Sequence, residues 1–257
     1  MATVPQQLVA TLERAVILHD AHDALPGDAY SSDGQAARDA RSEPLGEYAG
    51  TLASSAWAAG IDHLLAWYHL IVGARVLPIW THATLARGAL EGAVTCRYLL
   101  DPAIDDAERR RRGALEQLAD LQRRREFEDS TLTTHAMRKP GSESGAVRYA
   151  ELLKQIEQEG IVAERPLSMT SRFGNYLTGV RGDGRWVYHL LSGQAHGRQW
   201  AMLAADRSVI DAPALTGQRI VRTTANMRLV LLAALIAAGT LELGLAELKG
   251  YVGESPQ

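Results

Sequence analysis

The sequence predicts an all-α protein, a single-domain bundle of six to eight helices, and three observations carry that prediction. Ala and Leu dominate while β-branched runs are scarce, which favours helix over sheet. Long stretches repeat their apolar residues with the helical period. Gly- and Pro-rich segments punctuate those stretches. With 257 residues, 46% of them hydrophobic and 22% charged, the chain can bury a sizeable core without disulfides. A net charge of -3 gives no general attraction to nucleic acid or anionic lipid, and argues against both as partners.

Taken in order, residues 6–24 form a first helix with Leu8, Leu12, Ala15, Val16 and Leu18 on its apolar side. Residues 25–47 are rich in Gly, Pro, Ser and Asp and read as a mobile flap or a poorly ordered linker. The chain therefore divides into an N-terminal helix with a flexible loop, 1–47, and a main helical bundle, 48–250. Helical character resumes over 48–73, and Pro78 near the start of the next helix makes the two antiparallel neighbours. That next helix, 80–100, is apolar most of the way round and is the element around which the bundle is organised. Asp101 and Pro102 stop it, and Asp105 with Asp106 open another helix that runs to about Ser130. Its arginines, 109–112 and 123–125, are balanced by acids along the same helix, so it reads as solvated and salt-bridged.

A loop follows at 137–145, and 146–159 returns as an amphipathic helix through Val147, Leu152, Leu153 and Ile156, with Gly160 as its cap. Pro166, Gly174, Gly179, Gly182 and Gly184 predict short irregular turns over 161–184. A helix is expected over 185–205, a loop over 206–217, and a last Leu/Ala-rich helix over 218–249. Within it the run 229–241, bounded by Arg228 and Glu242, is only ~13 residues against the ~20 a bilayer requires, so a core helix is expected. The N-terminal residues lack the basic start and apolar core of a secretion signal. Cys96 is the only cysteine, excludes an intramolecular disulfide, and lies on the apolar side of the 80–100 helix. These features predict a cytoplasmic protein, expected to dimerise through an apolar helix face.

Two polar stripes suggest a site. At about 100° per residue, Trp80, Thr84, Arg87, Glu91, Thr95 and Tyr98 share roughly a quarter of the 80–100 helix, which places Arg87 and Glu91 inside the protein one turn apart. On the 185–205 helix, Tyr188, Ser192 and His196 share a face with His189 beside them. If the stripes meet, Arg87 can bind a carboxylate or phosphate, with Ser192, Trp80, Thr84 and His189 completing the ligand site. Glu91 can fix the tautomer of His196, His196 can move a proton near neutral pH, and Tyr188 can donate to a developing oxyanion. The same residues can instead close a hydrogen-bond network that only fixes how two helices pack. Ser192 is not set in the strand-turn-helix elbow of a serine nucleophile. No Glu-x-x-His pair is present, and no glycine-rich phosphate loop follows a strand, so neither metal nor cofactor is predicted. The nearest thing to a ligand set, His19, Asp20, His22 and Asp23, falls at the polar end of the first helix.

The runs Asp62 to Leu65 (DHLL), Thr84 to Glu91 (TLARGALE), Leu99 to Pro102 (LLDP) and Tyr188 to Gly197 (YHLLSGQAHG) resemble an uncharacterised all-helical family from actinobacteria. More remotely they are similar to HEPN-type helical domains. That resemblance implies RNA cleavage in a toxin or defence system, by an Arg and a His separated by four to six residues. Two pairs have the spacing. Arg14 and His19 precede the resembling stretch and point roughly 140° apart on a helix, and Arg75 and His82 straddle Pro78. The reading that follows is a helical protein whose polar pocket binds or transforms a small acidic molecule, with an HEPN-like ribonuclease and a purely structural or interaction bundle as alternatives.

Overall fold

The computed structural model describes residues 5–25, 34–42, 44–76, 78, 80–130, 143–202, 206–210 and 220–253. The fold is all-α, with ten α-helices among these residues, eight of them seven residues or longer. They are α1 (Gln6–Asp23), α2 (Gln35–Ala40), α3 (Glu47–Tyr68), α4 (Thr81–Leu99), α5 (Asp106–Asp129), α6 (Gly145–Gln158), α7 (Met169–Tyr176), α8 (Arg185–Ala195), α9 (Gln199–Met202) and α10 (Met227–Val252). A π-helical turn, His69–Gly73, continues α3, and Arg75 beyond it adopts φ 54°, a left-handed conformation rare for a residue with a side chain.

Several boundaries follow from chemistry visible in the sequence. Asp105 caps α5 by accepting from the Glu108 amide at 2.8 Å, and Ser144 caps α6 by accepting from Val147 at 3.2 Å. Asn226 does the same for α10, accepting from the amides of Arg228 and Leu229. Gly160 ends α6 at φ 68°, as its position after the periodic run predicts.

Elsewhere the structure departs from expectation. Part of the 25–47 segment is the helix α2, anchored where buried Asp39 lies 3.2 Å from the Arg109 Nε of α5, close enough for an ion pair but not aligned as a hydrogen bond. Of the rest of the expected flap, 34, 41–42 and 44–46 are turns and bends, and 26–33 and 43 lie outside the described residues. Within the expected turns of 161–184 lies α7. The helix expected over 185–205 ends at Ala195, because Gly197 at φ 62° turns the chain and the Arg198 amide reaches back to the Gly193 carbonyl at 2.7 Å. Where a loop and the start of the last helix were expected, Asp206–Ile210 (β1) and Ile220–Thr224 (β2) pair antiparallel, Asp206 opposite Thr224 and Ile210 opposite Ile220. The last helix consequently starts at Met227.

Packing sorts the chain into two compact units. The first comprises Met1–Leu25, Ala56–Thr95 and Met169–Leu245. Its core includes Leu8, Leu12, Trp57, Leu64, Trp67, Leu90, Phe173 and Leu241, with the Trp57 indole donating to the Leu241 carbonyl at 2.9 Å. Here α3 and α4 run antiparallel and nearly backbone to backbone. A Cβ on Gly92 would lie 2.3 Å from the Ala56 carbonyl oxygen, and one on Gly60 would lie 2.9 Å from that of Ala89. The second unit comprises Pro26–Ser55, Cys96–Ser168 and Ala246–Gln257. Leu118 and Leu121 of α5 and Leu152 and Ile156 of α6 pack with Leu45 and Ala114 at its centre, whereas Val147, expected on the same apolar face, is exposed. The solvated reading of α5 therefore holds for one face only: Glu108 pairs with Arg111 and Arg112 along the helix while Arg109 is buried.

Cys96 is fully buried, and burial pushes its thiol well above the ordinary value. Helix α10 is the one helix among the described residues long and apolar enough to cross a membrane by length and composition. Its apolar run continues past Glu242, beyond the limit read from the sequence, and 56% of that run is buried inside the protein.

Candidate functional site

The two polar stripes meet, and they do so within the first unit. Ala83, Ala86, Ala89, Leu90 and Ala93 bury the rest of α4, so the helix is held with Arg87 and Glu91 along one edge. The Arg87 Nε donates to Glu91 Oε1 at 2.7 Å, one turn along the same helix. Its Nη1 reaches across to α8, 3.2 Å from His196 Nε2 and 3.5 Å from Ser192 Oγ, the latter at the outer limit of a hydrogen bond. The guanidinium carbon lies 5.3 Å from the centre of the Tyr188 ring, within cation-π range, and Tyr188 rests edge-on against buried Phe173.

This geometry corrects two expectations. Arg87 and Glu91 are not interior: their side chains are 23% and 30% exposed, which puts the pair at the rim of the unit. Glu91 does not hold His196, because Arg87 stands between them. A guanidinium has donors only, so His196 Nε2 must accept, and its ring proton sits on Nδ1. Arg87, not Glu91, therefore selects the tautomer, and Glu91 serves to aim Arg87.

The remaining candidates lie at the margin. His189 is exposed and touches Tyr188 edge-on at 5.9 Å, without reaching Arg87. Thr84 is exposed and Trp80 half-buried, and neither makes a hydrogen bond or ring contact with the cluster among the described residues. Sequence reasoning missed Arg172, a 4% exposed residue on α7 whose Nη1 donates to Thr95 on the α4 stripe at 3.1 Å. Nothing in the punctuated stretch around it announced a helix.

Compared with known proteins, the chain matches no family model, no curated protein and no solved structure.

The other motifs take structural positions. Arg14 pairs with Glu242 of α10 at 2.7 Å, while His19 is half-exposed beside Asp23. His82 is 4% exposed, donates through Nδ1 to the Pro78 carbonyl at 3.0 Å and stacks on Trp67. Arg75 is exposed. His22 stacks on Trp57 with ring centres 4.5 Å apart. Among the described residues, no three of His, Cys, Asp or Glu are placed to share a metal ion.

What the cluster offers is an oriented cation. Glu91 and the Tyr188 ring fix the plane of the guanidinium, while Nη2 has no partner among the described residues. The Ser192 and Tyr188 hydroxyls and the His196 Nδ1–H are further donors nearby.

Proposed function

We propose that the Arg87 cluster binds a small molecule bearing a carboxylate or phosphate. The observation that carries this reading is the guanidinium itself: fixed by Glu91 on its own helix, engaged with Ser192 of α8 and with His196 at its end, and left with an uncommitted edge at a partly exposed rim. A planar fork held in this way suits an anion better than a free surface lysine does, because its donors are already oriented. Ser192 and Tyr188 supply neutral donors, and His196 supplies a group that can exchange a proton with the bound acid. The reading places the protein in the cytoplasm, where Cys96 stays a thiol.

The test is thermal stabilisation by succinate and by inorganic phosphate. A ligand specific to the folded state raises Tm with concentration. Wild type is expected to show a saturable rise with at least one of the two, lost in Arg87→Ala and reduced in Ser192→Ala. An equal rise in wild type and Arg87→Ala would assign the effect to general ionic stabilisation.

A further inference from the structure

Helix α8 turns a second, chemically opposite face toward α10 within the same unit. Trp186, Val187, Leu190 and Leu191 there face Leu229, Leu232, Ala233 and Ile236 across an open cleft of about 340 Å3, including its mouth. Most of that space is open to solvent, so a ligand lies along the groove rather than inside a closed cavity. Among the described residues its walls carry no charged group, and two of the lining side chains, His82 and Gln194, are polar.

Both polar residues are more than nine-tenths buried, at 4% exposure each. The Gln194 amide makes no side-chain hydrogen bond among the described residues, although its type is capable of four. His82 commits its Nδ1 to the Pro78 carbonyl, which leaves Nε2 as a bare acceptor on the neutral ring. Burial pushes the His82 imidazole below its ordinary value, with the Pro78 contact pulling the other way, so the ring stays neutral at pH 7. Neither the Gln194 amide nor His82 Nε2 is among the polar atoms sealed from solvent without a partner, so both are open to a ligand, and a leucine at 194 removes the amide at little cost to the fold. At the mouth, Trp186 and Leu232 are 43% and 38% exposed, an apolar rim open to be covered.

We propose that this cleft is a second binding site, for an uncharged and largely aliphatic molecule carrying one group that both donates and accepts a hydrogen bond, such as a primary amide or an alcohol. The alkyl part lies between α8 and α10, and the polar head meets Gln194 and His82. A charged head is disfavoured, since the described lining of the cleft holds no counter-charge and a carboxylate would have to leave water without one.

The probes are octanamide and octanoate, followed by calorimetry and by the shift in Tm. Wild type is expected to bind octanamide saturably and octanoate at least tenfold more weakly. Gln194→Leu is expected to fold with an unchanged or higher Tm and to bind octanamide about tenfold more weakly, a loss of ~1.4 kcal/mol. Ala233→Leu, which narrows the cleft from the other wall, is expected to weaken octanamide likewise. Arg87→Ala is expected to leave octanamide binding intact, which separates this site from the anion site. Absence of saturable octanamide binding to wild type, equal affinity for octanoate, or full affinity in Gln194→Leu would each overturn the proposal.

Discussion

Arg87 makes one ion pair along its own helix and reaches two groups on another, and only a planar fork can do both. Arg87→Lys keeps the charge but loses that geometry. It is expected to fold normally and to weaken binding of a carboxylate such as succinate by about tenfold, ~1.4 kcal/mol by calorimetry. Because the Arg87–Glu91 pair is a quarter to a third exposed, its removal in Arg87→Ala is expected to lower stability by only about 0.5–1 kcal/mol in urea titration. Glu247 is the opposite case. Its carboxylate pairs with Arg97 at 3.0 Å, yet Oε2 is buried without a hydrogen bond among the described residues. Burial pushes the carboxyl up to about 7, with Arg97 pulling it back. In the folded state Glu247 therefore holds a proton that the unfolded chain has released, and its stabilising contribution, complete below pH 4.5, is lost as pH rises through about 7. His82, with its value lowered, has the reverse slope, its contribution fading as pH falls below 6.5. The two are separated by difference: wild type minus Glu247→Gln, followed by urea unfolding from pH 5 to pH 8, is expected to decline by on the order of 2 kcal/mol. A flat difference would show that Glu247 ionises as freely folded as unfolded.

At the scale of elements, glycines decide what side chains alone do not. The α3–α4 crossing works because Gly60 and Gly92 let the two backbones approach. Gly92→Ala would drive a methyl into the Ala56 carbonyl, and is expected to cost about 2–4 kcal/mol in urea titration. Gly197 acts on the site itself: its left-handed turn ends α8 and leaves His196 at the helix terminus, within reach of Arg87. Gly197→Ala is expected to lose about 1–2 kcal/mol of stability and to weaken succinate binding as His196 shifts, measurable by thermal melts with and without the ligand. The antiparallel α3–α4 pair was legible because two long periodic runs are joined by a short segment holding Pro78. The break at Gly197 was not, since the helical period of 185–202 continues on both sides and only backbone dihedrals reveal the turn. The β-ribbon was missed for a related reason. Ile220–Thr224, with four β-branched residues of five, directly precedes a helix dense in Leu, and a short strand beside a long helix is absorbed into it by any pattern count.

For the whole molecule, the all-α class was legible in composition and period, and so was each polar stripe by itself, because helical spacing determines which residues share a face; that the two stripes meet was a condition the sequence left open. The partners within that meeting were not legible. Spacing put Glu91 and His196 on facing stripes, but which nitrogen meets which oxygen depends on the separation and rotation of the helices, and these inserted Arg87 between them. Gln194 was equally readable in principle, as the amide one turn beyond Leu190 on an apolar face, yet its interest comes only from the cleft around it. The account of the anion site rests on His196 Nε2 accepting from Arg87 in a cluster still able to take an acid. Nitrogen NMR of labelled histidine, assigned to His196 by its loss in His196→Ala, reads both parts at once. The ring is expected to carry its proton on Nδ1, with an Nε2 signal that moves on adding succinate in wild type and not in Arg87→Ala. A ring protonated at Nε2, unchanged between wild type and Arg87→Ala and unmoved by succinate or phosphate, would contradict it.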